Sequence, residues 1–334
     1  MSSHYPSTNT KSLILLWAFA ESGIGGMLHA LKLPVTGIFV GGLAVICIAL
    51  IGHFAPNPRK AIREALLIVL MVKLAVSPHS PWQAYVAVVF QGYLGYLLFG
   101  NSQHFIVKCV IFTTLCMMES ALQKVILSLI IYGLDFFKSL DMASKSIVAS
   151  FGLQVDYSWV MVIFGLYIGI HMVLGVIIGL WIPTLPRQIH LFDAKLDGLT
   201  FNPEKFSKKR SQNIWKSLVL STLGIIFVLY LIKWWVPSFT FVQVAFIFLR
   251  SIILSLIMIF FVGPWIVRRI QQYANKQEFN KSLLLEILDE IPLFSNKAFG
   301  LVRWINAHYN GLAKVKYMIL GLLAIAMYPS KTYE

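Results

Sequence analysis

The chain has 334 residues, of which 58% are hydrophobic and only 13% are charged. A soluble domain carries about 25% charged residues, so this composition excludes an ordinary soluble domain and favours an all-α, polytopic integral membrane protein. The mean hydropathy is +0.75. Apolar runs of about 20 residues, the length that crosses a bilayer as a helix, recur along the whole chain and are too long for the strands of an outer-membrane barrel.

The net charge of +14 does not indicate nucleic-acid binding here. The basic residues cluster between apolar runs, where they set the orientation in the membrane and attract anionic membrane lipid, and no nucleic-acid-binding motif accompanies them. The three cysteines, Cys47, Cys109 and Cys116, lie inside apolar segments without CxxC spacing. We therefore expect them to be core residues rather than metal ligands.

Eight membrane spans are predicted, with a ninth, shorter apolar segment at 315–328. The apolar stretch before the Ala18-Phe19-Ala20 sequence is too short for a secretory signal, so the first run is interpreted as a membrane helix. Pro34 separates the first two spans, because proline cannot continue a helix without losing a hydrogen bond. The predicted spans are 12–32, 34–53, 61–76, 82–100, 105–133, 158–182, 214–236 and 239–267.

The positive-inside rule predicts a cytosolic N-terminus. With that orientation, twenty of the 28 lysines and arginines fall in cytosolic segments, five fall in outer segments and three lie in spans. The opposite orientation would invert this bias. The expected location is the cytoplasmic (inner) membrane.

Three modules follow from this arrangement. Residues 1–183 form a six-helix membrane module with both ends in the cytosol, and residues 184–213 form a basic cytosolic linker. Residues 214–334 form a C-terminal membrane module of two or three helices that contains a cytosolic stretch, 268–310. Helical spacing of apolar residues in that stretch predicts an amphipathic helix ending at Pro292, which either lies on the membrane surface or docks a partner subunit. The apolar positions are Leu284, Ile287, Leu288 and Ile291.

Polar side chains inside or beside the apolar spans are the candidate functional residues. A charge at mid-bilayer costs about 2.5–3.5 kcal/mol on insertion scales, so such residues usually face a bundle interior, a cavity or a partner. Most of those in the first module fall in the outer half of the predicted spans, as a pocket that loads from outside requires. The alternative for each one is a structural hydrogen bond or ion pair. The candidate solute-binding residues are His29, Lys73, His79, Gln83, Gln91, Glu119, Lys124 and His171.

Two charged residues stand apart from this set. Glu21 is central in the first span and could pair with Lys73 or His171, or protonate as part of a proton relay. Arg250 has no acidic residue in its own span or the one before it. Its partner must be Glu21, Glu119, another chain or backbone carbonyl groups.

Small residues recur at four-residue spacing along the first span, at Ala18, Ser22, Gly26 and Ala30. Three consecutive small-xxx-small steps make a smooth face on which another helix can approach closely. That helix is either one of the chain's own or one from a partner membrane subunit.

Several short segments of the first module accompany the predicted six-helix layout and the small-residue first helix. These segments are Leu33–Gly37, Gly41–Ala44, Lys73–Pro78, Ala84–Val88 and Gln91–Gly92. In this combination residues 12–183 resemble the substrate-binding S-component of an energy-coupling-factor (ECF) vitamin transporter.

The resemblance implies capture of a vitamin-like solute from outside. It also implies contact, through Ala18, Ser22, Gly26 and Ala30, with a transmembrane coupling subunit driven by cytosolic ATPases. Residues 184–334 have no counterpart in a minimal S-component.

The resulting hypothesis is a membrane transport component that binds a small polar or vitamin-like solute. The chain has no phosphate-binding loop, so movement would depend on a separate ATPase-driven complex. HExxH, GxSxG and paired CxxC motifs are also absent from the sequence, and we expect neither an enzyme nor a bound cofactor or metal. The alternatives are a proton-coupled secondary transporter that uses Glu21, Glu119 and His171, and a non-transporting scaffold subunit.

Overall fold

The structure is a computed structural model that describes seven stretches of the chain. They are residues 8–25, 36–77, 80–100, 103–152, 156–196, 241–276 and 281–328. These stretches are α-helical apart from short π- and 3-10-helical turns and connecting loops, and they contain no strand. The predicted all-α class is confirmed for this part of the chain. The span predicted at 214–236 lies outside it.

The helices of the first half follow the predicted apolar runs closely. A π-helical turn, Ala20–Ile24, continues the first helix, and a 3-10 turn, Ile182–Thr184, joins the seventh to the eighth. The helices are α1 (Thr8–Phe19), α2 (Thr36–Phe54), α3 (Pro58–Val76), α4 (Trp82–Leu98), α5 (Phe105–Tyr132), α6 (Leu134–Ser150), α7 (Trp159–Trp181) and α8 (Leu185–Leu196).

The second half adds four described helices. They are α9 (Phe241–Ile257), which a π-helical turn, Met258–Val262, joins to α10 (Gly263–Lys276), then α11 (Lys281–His308) and α12 (Gly311–Met327). The short apolar segment predicted at 315–328 therefore belongs to α12.

Three helices are long and apolar enough to cross a membrane, within the ranges that the structure describes. They are Gly37–Phe54, Phe105–Tyr132 and Trp159–Leu196. In the last of these, only 11% of the most apolar 18-residue stretch is buried. Its exposed apolar side chains recur every three to four residues, so one whole face of the helix is apolar and suited to lipid. These side chains are Ile163, Leu166, Ile170, Val173, Ile177 and Leu180.

The chain forms two compact units. The first contains residues 1–121, 170–204 and 263–334, and the second contains residues 122–169 and 205–262. Both units draw on segments from each side of residue 183. Neither unit therefore coincides with one of the three modules predicted from the sequence, and those modules stay predictions.

Helix α1 lies at the centre of the first unit, where α2, α3, α11 and α12 all contact it. From Leu13 to Phe19 its sequence is apolar on every side, and a helix segment of that kind must be enclosed. Leu13, Leu16, Trp17 and Ala18 are all completely buried. The first helix is thus the core of the unit.

The N-terminal end of α1 is held by an ion-pair clamp. The Lys11 ammonium lies 2.5 Å from the Glu286 carboxylate and 2.7 Å from that of Glu290, which is one turn further along α11. Partial burial lowers the pKa of Lys11, but hydrogen bonds and attraction from the two carboxylates outweigh that effect and raise the pKa above its ordinary value. The clamp fixes where α11 crosses α1.

The predicted end of the amphipathic segment at Pro292 is wrong. Helix α11 continues through this proline to His308, and its buried side chains continue at the same helical spacing on both sides. These side chains are Leu283, Ile287, Ile291, Phe294, Ala298, Leu301 and Ile305. Contacts with α1 and α12 cover this stripe, so burial outweighs the cost of the proline. The stripe is thus covered by the chain's own helices rather than by the membrane surface or a partner.

The second unit consists of the C-terminal part of α5, α6, the N-terminal part of α7 and α9. Residues 134–157, which join two predicted spans, contain the helix α6, which begins after Gly133 at a positive φ of 82°. Phe137 of α6 packs edge-on against Phe164 of α7, with ring centroids 5.3 Å apart. No span was predicted here because α6 mixes charged and apolar residues and contains no apolar run of membrane length.

Candidate functional site

A buried ion pair joins α3 to the π-helical turn after α1. The Lys73 Nζ lies 2.6 Å from Oε2 of Glu21 and donates a second hydrogen bond, of 3.0 Å, to the Glu21 backbone carbonyl. The Lys73 side chain is completely buried and that of Glu21 is 6% exposed. The ammonium also lies 5.8 Å from the centre of the Tyr85 ring. Of the alternatives left open for Glu21, the structure shows the ion pair with Lys73.

The π-helical turn Ala20–Ile24 explains how Glu21 can offer two acceptors to one lysine. Its backbone hydrogen bonds reach one residue further than in an α-helix, as in the bond from Gly25 N–H to the Ala20 carbonyl. Ser22 in the same turn donates from its hydroxyl to the Ala18 carbonyl at 2.6 Å. Single π-helical turns of this kind often occur at functional sites.

The same turn forms part of the wall of a cavity of about 730 Å³. Ala20 and Ile24 line the cavity, together with residues of α2, α7, α11 and α12. The volume lies within the range of about 300–1,000 Å³ that small-molecule sites occupy. One short turn therefore carries both a cavity wall and half of a buried ion pair.

Almost all of the cavity wall is apolar, and its polar side chains are Gln188 and Lys316. The Gln188 side chain accepts a hydrogen bond from the Trp181 indole at 3.2 Å and donates one to Thr184 at 2.9 Å. Lys316 is exposed, so it marks an opening of the cavity. This lining suits a largely apolar solute with few polar groups.

None of the described solute-binding candidates from the sequence lines this cavity. Lys73 is occupied by Glu21, Gln91 and His171 are buried, Gln83 and Glu119 are half-buried, and Lys124 is exposed. His29 and His79 lie outside the described residues. Solute binding by this set stays a prediction, and the structure pairs Lys73 with another predicted residue, Glu21.

Gln91 is the candidate with the clearest unused polar atom. Its side chain is 2% exposed and its Oε1 has no hydrogen-bond partner among the described residues. On α2, the space beside Gly41 is closed by the Gln91 amide at 3.5 Å and the Met117 methyl at 3.8 Å. Gln91 therefore packs at a three-helix junction formed by α2, α4 and α5.

The predicted small-residue face of α1 is internal where the structure describes it. Ala18 is completely buried and Ser22 is 4% exposed. The alternative of internal packing accounts for these two positions. Gly26 and Ala30 lie outside the described residues, and contact with a partner helix stays a prediction for them.

Among the described residues, the second predicted ion-pair residue, Arg250 of α9, contacts backbone rather than a carboxylate. Its Nη2 donates to the Ile130 carbonyl at 3.4 Å. Its guanidinium also occupies the space beside Gly133 at the start of α6. Backbone carbonyl groups were one of the predicted partners for this residue.

Sequence reasoning missed the cavity because its lining comes from six helices and the π-helical turn, which span most of the chain. It also missed the contact of α5 with α7. Gly175 and Gly179, four residues apart on α7, lie against the α5 backbone, and the Thr113 hydroxyl donates to the Gly175 carbonyl at 2.6 Å. Their four-residue spacing was a usable signal, since it is the small-xxx-small pattern of close helix packing.

The described residues contain no group of three or more His, Cys, Asp or Glu side chains able to hold a metal ion. The arrangement offers a cavity and a buried charge pair. No family model, no curated protein and no solved structure matched this chain.

Proposed function

We propose that this protein is a membrane transport component that binds a small, vitamin-sized solute in the cavity beside the π-helical turn Ala20–Ile24. The observation that carries the proposal is the double role of that turn. Ala20 and Ile24 line the cavity, while Glu21 between them pairs with Lys73. A buried ionisable pair inside apolar helices is a functional-site hypothesis by default.

The double role suggests how binding is transmitted. A solute that presses on Ala20 or Ile24 acts on a π-helical turn, which can rewind to α-helical geometry by a one-residue shift. Such a shift moves Glu21 relative to Lys73 and changes the position of α3. In this proposal the π-helical turn couples occupancy of the cavity to the geometry of the Glu21–Lys73 ion pair.

The proposed topology has the N-terminus in the cytosol and the chain in the cytoplasmic membrane. The strong asymmetry of lysine and arginine across the apolar runs supports this orientation. We further propose that energy comes from a separate transmembrane coupling subunit with cytosolic ATPases, since the chain has no phosphate-binding loop of its own.

The test begins with gentle purification from native membranes and mass spectrometry of retained small molecules and polypeptides. Two variants on α7 then locate the site. Ile177 lines the cavity and is 56% exposed, whereas Leu180 is 55% exposed and does not line it. We expect Ile177→Trp to lose the retained solute and Leu180→Trp to keep it.

Co-purifying ATPase subunits together with a retained solute would support the proposal. A protein that moves solute alone in liposomes under a pH gradient would replace it with a proton-coupled transporter. A large assembly without ATPases or any retained small molecule would contradict transport and favour a scaffold.

A further inference from the structure

We infer that the cavity binds an anionic amphiphile, with a single apolar chain in the cavity and a carboxylate against Lys316. This inference rests on the proposed function and specifies its solute class. It depends on the distribution of polarity around the cavity: apolar walls throughout, with one cation at an exposed position.

The apolar part of the ligand is set by the walls. Phe19, Ala20 and Leu43 form part of the lining and are each no more than 5% exposed, so the chain's own core closes that side. A polar solute placed there would lose hydrogen bonds to water without replacement. A hydrocarbon chain has no hydrogen bonds to lose, and binding in the cavity removes its apolar surface from water.

The charged end of the ligand is set by Lys316. Within the part of the chain that the structure describes, its ammonium lies 5.9 Å from the centre of the neighbouring Tyr317 ring and forms no ion pair with a carboxylate. The other polar lining residue, Gln188, is already engaged by Trp181 and Thr184. Lys316 is thus the lining cation left to pair with an anion, and a carboxylate is complementary to it.

The experiment measures binding of straight-chain carboxylates from six to twelve carbons to the full-length protein in phosphatidylcholine nanodiscs. Empty nanodiscs correct for partitioning into lipid. We expect the dissociation constant to fall about fourfold per added methylene until the cavity is filled. The matched primary alcohols test whether the charge matters.

Two lysines on α12 provide the variant and its control. Lys316 lines the cavity, whereas Lys314 is two residues away on the same helix and does not. We expect Lys316→Gln to weaken carboxylate binding about tenfold and to leave alcohol binding unchanged. Lys314→Gln should leave both unchanged. Val302→Trp, which fills the cavity from α11, should abolish the chain-length dependence.

Several results would overturn the inference. Equal affinity for carboxylates and alcohols would show that the ligand's negative charge is not recognised. An affinity that does not change with chain length would show that the apolar chain does not bind in the cavity. A phospholipid as the retained molecule in the cavity would assign it to bilayer lipid instead. If a different solute co-purifies and binds while no carboxylate does, the inference fails and the proposed function stands. If carboxylates bind but no transport partner or transport activity is found, the proposed function fails and the ligand class stands.

Discussion

Replacing Lys73 with methionine should destabilise the protein far more than replacing an exposed lysine on the same helix. Methionine keeps most of the aliphatic stem but leaves the Glu21 carboxylate, whose side chain is 6% exposed, without its cation. Breaking a buried ion pair from one side costs about 3–5 kcal/mol, because the remaining charge stays desolvated. Lys60→Met, at the exposed start of α3, is the control and should change the free energy of unfolding by less than about 0.5 kcal/mol.

The double variant Glu21→Gln with Lys73→Met separates the charge from the packing. With both charges removed, no buried charge is left without a partner, so stability should return to within about 1–2 kcal/mol of the unaltered protein. The remaining cost is the loss of the hydrogen bond that the Lys73 ammonium donates to the Glu21 carbonyl. Reversible unfolding in mixed detergent micelles measures all four proteins. A cost below about 1 kcal/mol for Lys73→Met alone would refute the reasoning. If the double variant is stable but retains no solute, the pair acts in function as well as in folding.

Substitutions at three further sites, one of them with a matched control, test helix packing and the ion-pair clamp. Gly175→Ala would place a methyl group 2.6 Å from the Thr114 backbone and should cost about 1–3 kcal/mol, whereas Gly169→Ala on the same helix meets nothing within 4 Å and should be neutral or slightly stabilising in thermal unfolding. Lys11→Met should cost less than about 1 kcal/mol because the clamp is partly exposed. The raised pKa of Lys11 means that its contribution is present below its ordinary value of 10.5 and lost as pH rises through the folded-state pKa, so only the unaltered protein should show this alkaline loss. Pro292→Ala should stabilise α11 by up to about 3 kcal/mol in chemical unfolding, and a loss of stability there would mean that the proline sets a needed bend.

The parts of the fold that the sequence predicted are those governed by local pattern. Apolar runs placed α2, α3, α4, α5 and α7 within a few residues of their observed ends, because run length and flanking turn residues fix a membrane helix locally. Helix α6 was missed because its mixed composition gives no such run. The stop expected at Pro292 failed because tertiary burial overrode a local helix-breaking preference.

The ion pair of the candidate site was predictable from the sequence, whereas the cavity was not. The charge of Glu21 in an apolar run demanded a partner, and Lys73 was one of two named, so the ion pair was within reach of sequence reasoning. The cavity was not, since its wall joins residues such as Ile24, Ile177 and Lys316 that only the packed structure brings together. The candidate residues were chosen because they are polar, whereas the cavity wall is almost entirely apolar.

The central position of α1 has a consequence for biogenesis. Its clamp joins residues 275 positions apart in the chain. At a synthesis rate of about 5–20 residues per second, α1 leaves the ribosome roughly 14–55 seconds before α11 can cover it. During that interval a helix destined for the interior must stay in lipid or be held by an insertion factor. Helix α1 therefore reaches its final surroundings only after the later helices α11 and α12 are made, and chains that end before α11 should be degraded rather than accumulate as a stable domain.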